Sequence, residues 1–386
     1  MDSSLRWNDK ATGLPRFARN DSAEYMKYVE EYRDPELGKK LLERIHQRSH
    51  KHIKLMEFCG GHTVAIFKHG LRQLLPANIE MLSSPGCPVC VTASNDLDKA
   101  IALSKIPNVI ITSFGDMVRV PGSRSSLQQA KAEGADVRIV YSTQDALAIA
   151  RDNADKSIIF IGIGFETTAP TVAASILQAE QENLKNYYVL SLHKVCPPIM
   201  KAILDLGEVR IDGIICPGHV SAVIGSRPYR FIADDYHIAC AVSGFEPVDI
   251  LLAVDRLVEQ IEGNKPDVEI AYRRGVKEEG NLPALRLMES VFEIGEADWR
   301  GIGIVQDSGL KIRMSYAKLD AEKNFSIRVE QSREPKGCIC GAVLRGVSTP
   351  LDCKLFRVTC TPEHPVGPCM VSSEGSCATY FQYGER

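Results

Sequence analysis

The twelve cysteines of this 386-residue chain are where its chemistry concentrates. Cys87 and Cys90 form a C-P-V-C turn within "SSPGCPVCVT". A C-x-x-C turn in an α/β protein is a dithiol/disulfide geometry in which a helix N-terminus stabilises one thiolate. Half of a zinc site and inert core are the alternatives. Cys59 ends an apolar run in "FCGGHT", followed by Gly60, Gly61, His62 and Thr63. Glycines let a ligand come close to the backbone. A Cys beside a His is either a nucleophile with its base or a pair of soft metal ligands.

Six of the twelve cysteines fall between Cys338 and Cys377, as C-x-C-x12-C-x6-C-x8-C-x7-C. Four thiolates around one centre serve structural zinc and [4Fe–4S] clusters alike. Zinc usually takes two C-x2–4-C pairs, so the wide spacing here favours a cuboidal cluster wrapped by loops. Spacing alone does not choose four thiols from six. In "GFETTAP", Glu166 sits at a strand end, where it can accept a proton or bind a ligand, with Thr167 and Thr168 beside it. A threonine that only caps the next helix is the plainer reading. His193, His219 and Cys216 read as lining or packing, Cys240 as core and His69 as a surface histidine.

These residues need elements to hold them. Short apolar runs such as "HIKLMEF", "NVIITSF", "SIIFIGIGF", "YYVLSLH" and "IACAVSGF" alternate with helix-like segments, the pattern of parallel α/β sheets. "MEFCGGHTVA" resembles "IGFETTAPTVA", "MLSSPGCP" resembles "VLSLHKVCP", and "FGDMVRVPGS" resembles "CPGHVSAVIGS", at offsets of roughly 100–110 residues. The expectation is two similar Rossmann-like α/β domains in tandem, 50–150 and 151–260, with ligands at the carboxyl ends of strands and a cleft between the halves. A flexible tail (1–23) and N-terminal helices (24–49) precede them. A helical, cysteine-rich [4Fe–4S] domain (261–386) follows.

Composition narrows the function. The chain is 44% hydrophobic and 25% charged with a formal net charge of −3. It has no footprint for nucleic acid or an anionic membrane. No apolar run reaches the ~18 residues of a spanning helix, and the N-terminus has no signal-peptide core. A cytoplasmic protein is expected, where twelve cysteines are unlikely to form a disulfide framework.

Seven ordered motifs, "MEFCGGHTVAIFKHGLRQLLP", "PGCPVCVT", "FGDMVRVPGS", "GFETTAPT", "CPGHVS", "SGFEPVDIL" and "CTPEHPVGPCMVSSEGSCA", together resemble the HypD family of [NiFe]-hydrogenase maturation proteins, from about Glu24 onward. The resemblance implies a scaffold for assembly of the Fe(CN)2CO unit rather than a conventional turnover enzyme. HypC would share the iron, HypE (with HypF upstream) would supply cyanide, and the product would pass through HypC to the hydrogenase large-subunit precursor. It implies two α/β domains and a third, resembling part of ferredoxin-thioredoxin reductase, that holds a [4Fe–4S] cluster. It places the iron on Cys59 beside His62 and makes Cys87 and Cys90 redox active. It assigns the cluster to Cys340, Cys353, Cys360 and Cys377, leaving out Cys338 and Cys369, with Glu374 near the cluster. Gly60, Gly61, Thr63, Thr167 and Thr168 would line the iron pocket and Glu166 would shape it. Two positions depart from the pattern: Val64 stands where a second histidine is expected, and Ser84 where a glycine is. The rival classes are a thiol–disulfide oxidoreductase, which gives Cys59 no task, and a zinc-binding structural protein.

Overall fold

The structure, a computed structural model, describes residues 5–6, 16–17, 29–330 and 332–384. Most of the expected tail (1–23) and the start of the expected N-terminal helices lie outside them. Beyond a two-residue pairing of Leu5–Arg6 with Arg16–Phe17, the strands in chain order are β1 (Ile53–Glu57), β2 (Ile79–Leu82), β3 (Val109–Ser113), β4 (Asp136–Ile139), β5 (Ser157–Gly162), β6 (Tyr187–Ser191), β7 (Gly213–Pro217), β8 (Ala239–Ser243), β9 (Val268–Ile270), β10 (Phe292–Trp299) and β11 (Gly303–Ile312). The helices that matter below are α1 (Pro35–Arg48), α2 (Gly60–Lys68), α3 (Pro88–Val91), α4 (Cys196–Leu206) and α5 (Pro247–Glu262).

The chain divides into two compact units, each assembled from separate stretches. The first comprises residues up to Gly86, Leu204–Gly280 and the stretch from Thr379. Its sheet is parallel throughout, in the order β2-β1-β7-β8-β9. Strands such as "GIICP" and "ACAVS" are buried at every position, as a sheet covered on both faces requires. α1 starts where Asp34 accepts from the N–H groups of Glu36 and Leu37 and Pro35 fills the first turn. Its Leu41, Leu42 and Ile45 pack into one core with Val248, Leu251 and Val254 of α5. Asp255, fully buried on α5, is held by Arg44 at 2.5 Å and Arg48 at 3.3 Å.

The second unit comprises Cys87–Ile203 and Asn281–Ala378. Its parallel sheet runs β4-β3-β5-β6, and β10 and β11 form an antiparallel hairpin. From Cys338 to Val371 the only regular elements are helical pieces of three to five residues, Cys340–Leu344, Pro350–Asp352 and Pro368–Val371.

α/β architecture with parallel sheets is present as expected, but the chain is shared out differently. The anticipated boundary at 150/151 falls inside the second unit, and residues 261–386 are divided between both units rather than forming a third. The repeat motifs report strand–turn–helix similarity and carry no signal of which sheet receives the strand. The first sheet takes β1 and β2 from one repeat and β7 and β8 from the other. The strands β3–β6 make up the second. No helix among the described residues is long and apolar enough to cross a membrane.

Candidate functional site

In the first sheet, β2 lies to one side of β1 and β7 to the other, so the order reverses between β1 and β7. Ligands of open α/β sheets bind beyond the carboxyl ends of strands at such a reversal. Cys59 stands there, two residues past β1, in extended conformation (φ −156°, ψ 125°) at the start of α2. Glu57, the last residue of β1, turns its carboxylate back under the loop. Oε2 accepts from the Cys59 N–H at 3.1 Å, and Oε1 accepts from the Thr63 hydroxyl. Gly60 N–H donates to the carbonyl of Gly86 at 3.1 Å. A Cβ on Gly86 would lie 2.4 Å from the Cys59 nitrogen and 2.7 Å from the Phe58 carbonyl carbon, so only glycine fits. A Cβ on Gly61 would lie 3.6 Å from the Cys59 sulfur and 3.0 Å from the Phe245 ring.

His62 is fully buried. Its Nε2 lies 3.3 Å from the Ser243 carbonyl at the end of β8, so it is the N–H-bearing nitrogen, and Nδ1 is buried without a hydrogen bond. Its ring stacks on Phe245 at 4.8 Å, and the exposed His219 stacks on the same ring at 3.9 Å. Burial brings His62 down to about 4, against hydrogen bonds to the Ser243 and Gly244 backbone, so it is neutral at physiological pH. His69, expected on the surface, is 7% exposed: it closes α2, its N–H donating to the Ala65 carbonyl, and its ring turns inward.

In the second sheet the order reverses between β3 and β5. The loop after β5 carries Glu166, fully buried, with Oε1 accepting from the Cys196 N–H at 2.9 Å and Oε2 without a partner. Thr168 sits where α-helix 169–181 begins, but its hydroxyl donates back to the Ile163 carbonyl at 3.0 Å instead of capping the helix. Gly164 has φ +142° and faces the Thr168 hydroxyl, where no side chain fits. Thr167 is half-buried beside it. Sequence reasoning missed both Glu57 and Cys196. A glutamate following the apolar pair Leu55–Met56 in the "IKLME" strand was the available signal for the first.

The C-P-V-C turn is α3. Cys87 precedes it and its sulfur accepts from the Cys90 N–H at 3.3 Å; both thiols are buried. Burial and the neighbouring Cys90 push the Cys87 thiol well up. Burial acts on Cys90 too, but hydrogen bonds with Cys369 and Cys87 and the charge of Arg300 bring it down to about 5. Cys87 is thus held toward the thiol and Cys90 toward the thiolate.

The C-terminal cysteines, all in the second unit, converge. Cys338, Cys340, Cys353, Cys360, Cys369 and Cys377 line one pocket of about 340 Å³, counting its open mouth. A Cβ on Gly367 would come within 2.8 Å of the Cys338 sulfur, so glycine keeps that wall of the pocket clear. The sulfurs of Cys340 and Cys369 touch, 2.8 Å apart. Among the described residues no three Cys, His, Asp or Glu side chains approach closely enough to hold a single ion. Several soft thiols spread around an apolar cavity fit a multi-iron cluster, whose ligands are held apart by the inorganic core, better than a lone zinc.

Residues 36–384 match the sequence model of the HypD family, described as "Hydrogenase formation hypA family". The chain belongs to the HypD family. Hydrogenase maturation factor HypD2 of Bradyrhizobium diazoefficiens is 45% identical over 369 residues, 93% of this chain and 97% of that protein. Hydrogenase maturation factor HypD of Azotobacter vinelandii is 46% identical over 370 residues, covering 94% and 98%. Its Escherichia coli namesake is 44% identical over 369 residues, covering 94% and 99%. HypD membership makes hydrogenase maturation the setting in which the thiol geometry above operates.

Proposed function

We propose that this protein is the scaffold on which the Fe(CN)2CO group of a [NiFe] hydrogenase is built in the cytoplasm, with Cys59 as the protein ligand of that iron. The observation that supports it most directly is the construction around Cys59: a soft sulfur suited to low-spin iron, at a sheet reversal, on a loop fixed by Glu57 and stripped of side chains at Gly60, Gly61 and Gly86. His62 donates to Ser243, so it packs the pocket wall and leaves Cys59 the nucleophile of the loop. Thr63 anchors Glu57. HypC contributes the second iron ligand, HypE delivers cyanide made with HypF, and the product moves through HypC to the large-subunit precursor. Glu166, Thr167 and Thr168 shape the corresponding loop of the second unit.

The resident cofactor is a [4Fe–4S] cluster, which when bound supplies one-electron transfer. The sulfurs of Cys340 and Cys369 are engaged with each other, and Cys369 is also hydrogen-bonded to Cys90, so the two form a pair turned to the Cys87–Cys90 thiols instead of to the cluster. The four remaining thiols, Cys338, Cys353, Cys360 and Cys377, are the ligand set this geometry favours, with Cys338 in place of Cys340. Cys87 and Cys90 are a redox-active pair. Against glutathione the couple balances as the Cys87 thiol, the Cys90 thiolate, one proton and glutathione disulfide giving the Cys87–Cys90 disulfide and two glutathione thiols.

The test is an infrared spectrum of protein purified without oxygen with HypC and HypE, wild type beside Cys59→Ala. Metal-bound CO and cyanide bands present in wild type and absent from Cys59→Ala are expected. Bands absent from both, with the cluster loaded, sink the scaffold reading. A thiol–disulfide oxidoreductase, favoured by the contact series Cys90–Cys369–Cys340, then leads, and Cys59→Ala keeps full disulfide turnover.

A further inference from the structure

Within the second unit, Arg300 is a charged side chain almost wholly withdrawn from water, 2% exposed. A buried guanidinium is costly unless its donors are partnered. Its partners lie on the dithiol turn. The Arg300 backbone N–H donates to the Val91 carbonyl at 3.0 Å, and Nε donates to the Thr92 carbonyl at 2.9 Å. Thr92 forms an antiparallel bridge with Trp299, the residue before Arg300. Nη1 donates to Glu334 at 3.1 Å, a carboxylate that is half exposed and so balances the charge incompletely. Nη2 is buried with no hydrogen bond. The arrangement clamps the carbonyl end of α3, the four-residue turn that carries Cys90, and leaves part of a buried cation uncompensated beside it.

We propose that Arg300 is the positioning residue of the Cys87–Cys90 pair, fixing the end of its turn and supplying the buried positive charge beside Cys90. This rests on reading that pair as a redox-active dithiol. The groups acting on Cys90 are the thiols of Cys87 and Cys369, the Arg300 cation and the carboxyls of Asp116 and Glu374. Arg300 is the one cation among them. Burial pushes Cys90 up, the two thiols and then Arg300 pull it down to about 5, and Asp116 opposes them. A charge that stabilises the reduced form makes the disulfide the stronger oxidant. The couple balances against glutathione: the disulfide and two glutathione thiols give Cys87 thiol, Cys90 thiolate, one proton and glutathione disulfide.

The test is the potential of the pair in full-length protein purified without oxygen. The protein is equilibrated with glutathione buffers between about pH 4 and 9, then acid-quenched and alkylated, and the Cys87–Cys90 peptide is read by mass spectrometry. In wild type the potential changes from a two-proton to a one-proton slope above about pH 5. Arg300→Gln is expected to favour the disulfide at least tenfold at neutral pH, about 30 mV lower, and to move the break in slope up by a pH unit or more. Arg300→Lys keeps the charge without the Nε bond and is expected to retain most of the wild-type potential. Glu334→Gln, a half-exposed change that spares the fold, moves the potential and the break the opposite way. A folded Arg300→Gln protein with wild-type iron content, whose potential and break stay within threefold of wild type, overturns the proposal. Should Arg300→Gln fail to fold, an unchanged Glu334→Gln profile overturns it. Wild type that forms no Cys87–Cys90 disulfide at any glutathione ratio overturns the dithiol reading itself, and the role of Arg300 with it.

Discussion

Glu57 accepts the backbone N–H of Cys59 at 3.1 Å, and Glu166 in the other unit accepts the backbone N–H of Cys196 at 2.9 Å. Each sheet therefore places a buried carboxyl at or just past the end of a central strand and uses it to hold the amide of a cysteine. Burial raises both carboxyls, Glu57 to about 8 and Glu166 to about 7. Hydrogen bonds from Thr63 and the Cys59 amide oppose the rise at Glu57, and the Glu166 and Cys196 amides do so at Glu166.

That shift sets a sign for pH dependence. The folded protein holds protons on Glu57 and Glu166 that the unfolded chain has lost above the ordinary value of 4.5. Their contribution is complete below 4.5 and declines as pH rises to about 7 for Glu166 and about 8 for Glu57. Chemical denaturation from pH 5 to 8 should show wild type losing stability relative to Glu57→Gln, by at most about 4 kcal/mol. Parallel curves for the two proteins contradict the buried, protonated carboxyl.

Glu57→Ala leaves the Cys59 amide and Thr63 hydroxyl buried without an acceptor, at about 1–3 kcal/mol for each group. The expected result is a lower denaturation midpoint together with weakened CO and cyanide bands. Glu57→Gln, which keeps a carbonyl acceptor, should preserve most of both.

Gly86→Ala puts a methyl against backbone that has no side chain to move aside. Overpacking of this kind costs about 1–3 kcal/mol. Since the Gly86 carbonyl also holds Gly60, loss of bound iron at Cys59 should exceed what the fall in stability explains, measured as infrared band intensity per folded protein.

Cys338→Ala and Cys340→Ala separate the two cluster assignments. Cys338→Ala should abolish the brown colour and the iron content of protein purified without oxygen. Cys340→Ala should retain the iron while the Cys90–Cys369 contact loses its third member. The reverse result restores Cys340 as a ligand.

Strand–helix alternation announced the parallel sheets because fully covered strands read as apolar runs. The turns that hold Cys59, Cys87 and Cys90 were legible from their glycine, proline and histidine neighbours. Domain membership was not, because the residues that decide it are edge contacts between strands far apart in sequence, such as Leu55 beside Gly213. Nor was the choice among six cysteines, which depends on which sulfurs touch. Glu57 was hidden by its own usefulness: a lone glutamate after an apolar strand looks like the strand's solvated end until Thr63 and the Cys59 amide are seen to fold over it.

The shared-out sheets have a consequence for synthesis on the ribosome. β1 pairs with β2 soon after emerging, but its other neighbour, β7, begins only at Gly213. At roughly 5–20 residues per second, the central strand that carries Cys59 waits on the order of ten seconds with one edge open. During that interval every strand of the second sheet leaves the ribosome. The Cys59 loop therefore gains its second neighbouring strand only after the strands of the second sheet have been synthesised, and a chain stalled before Gly213 holds Cys59 on an unfinished sheet.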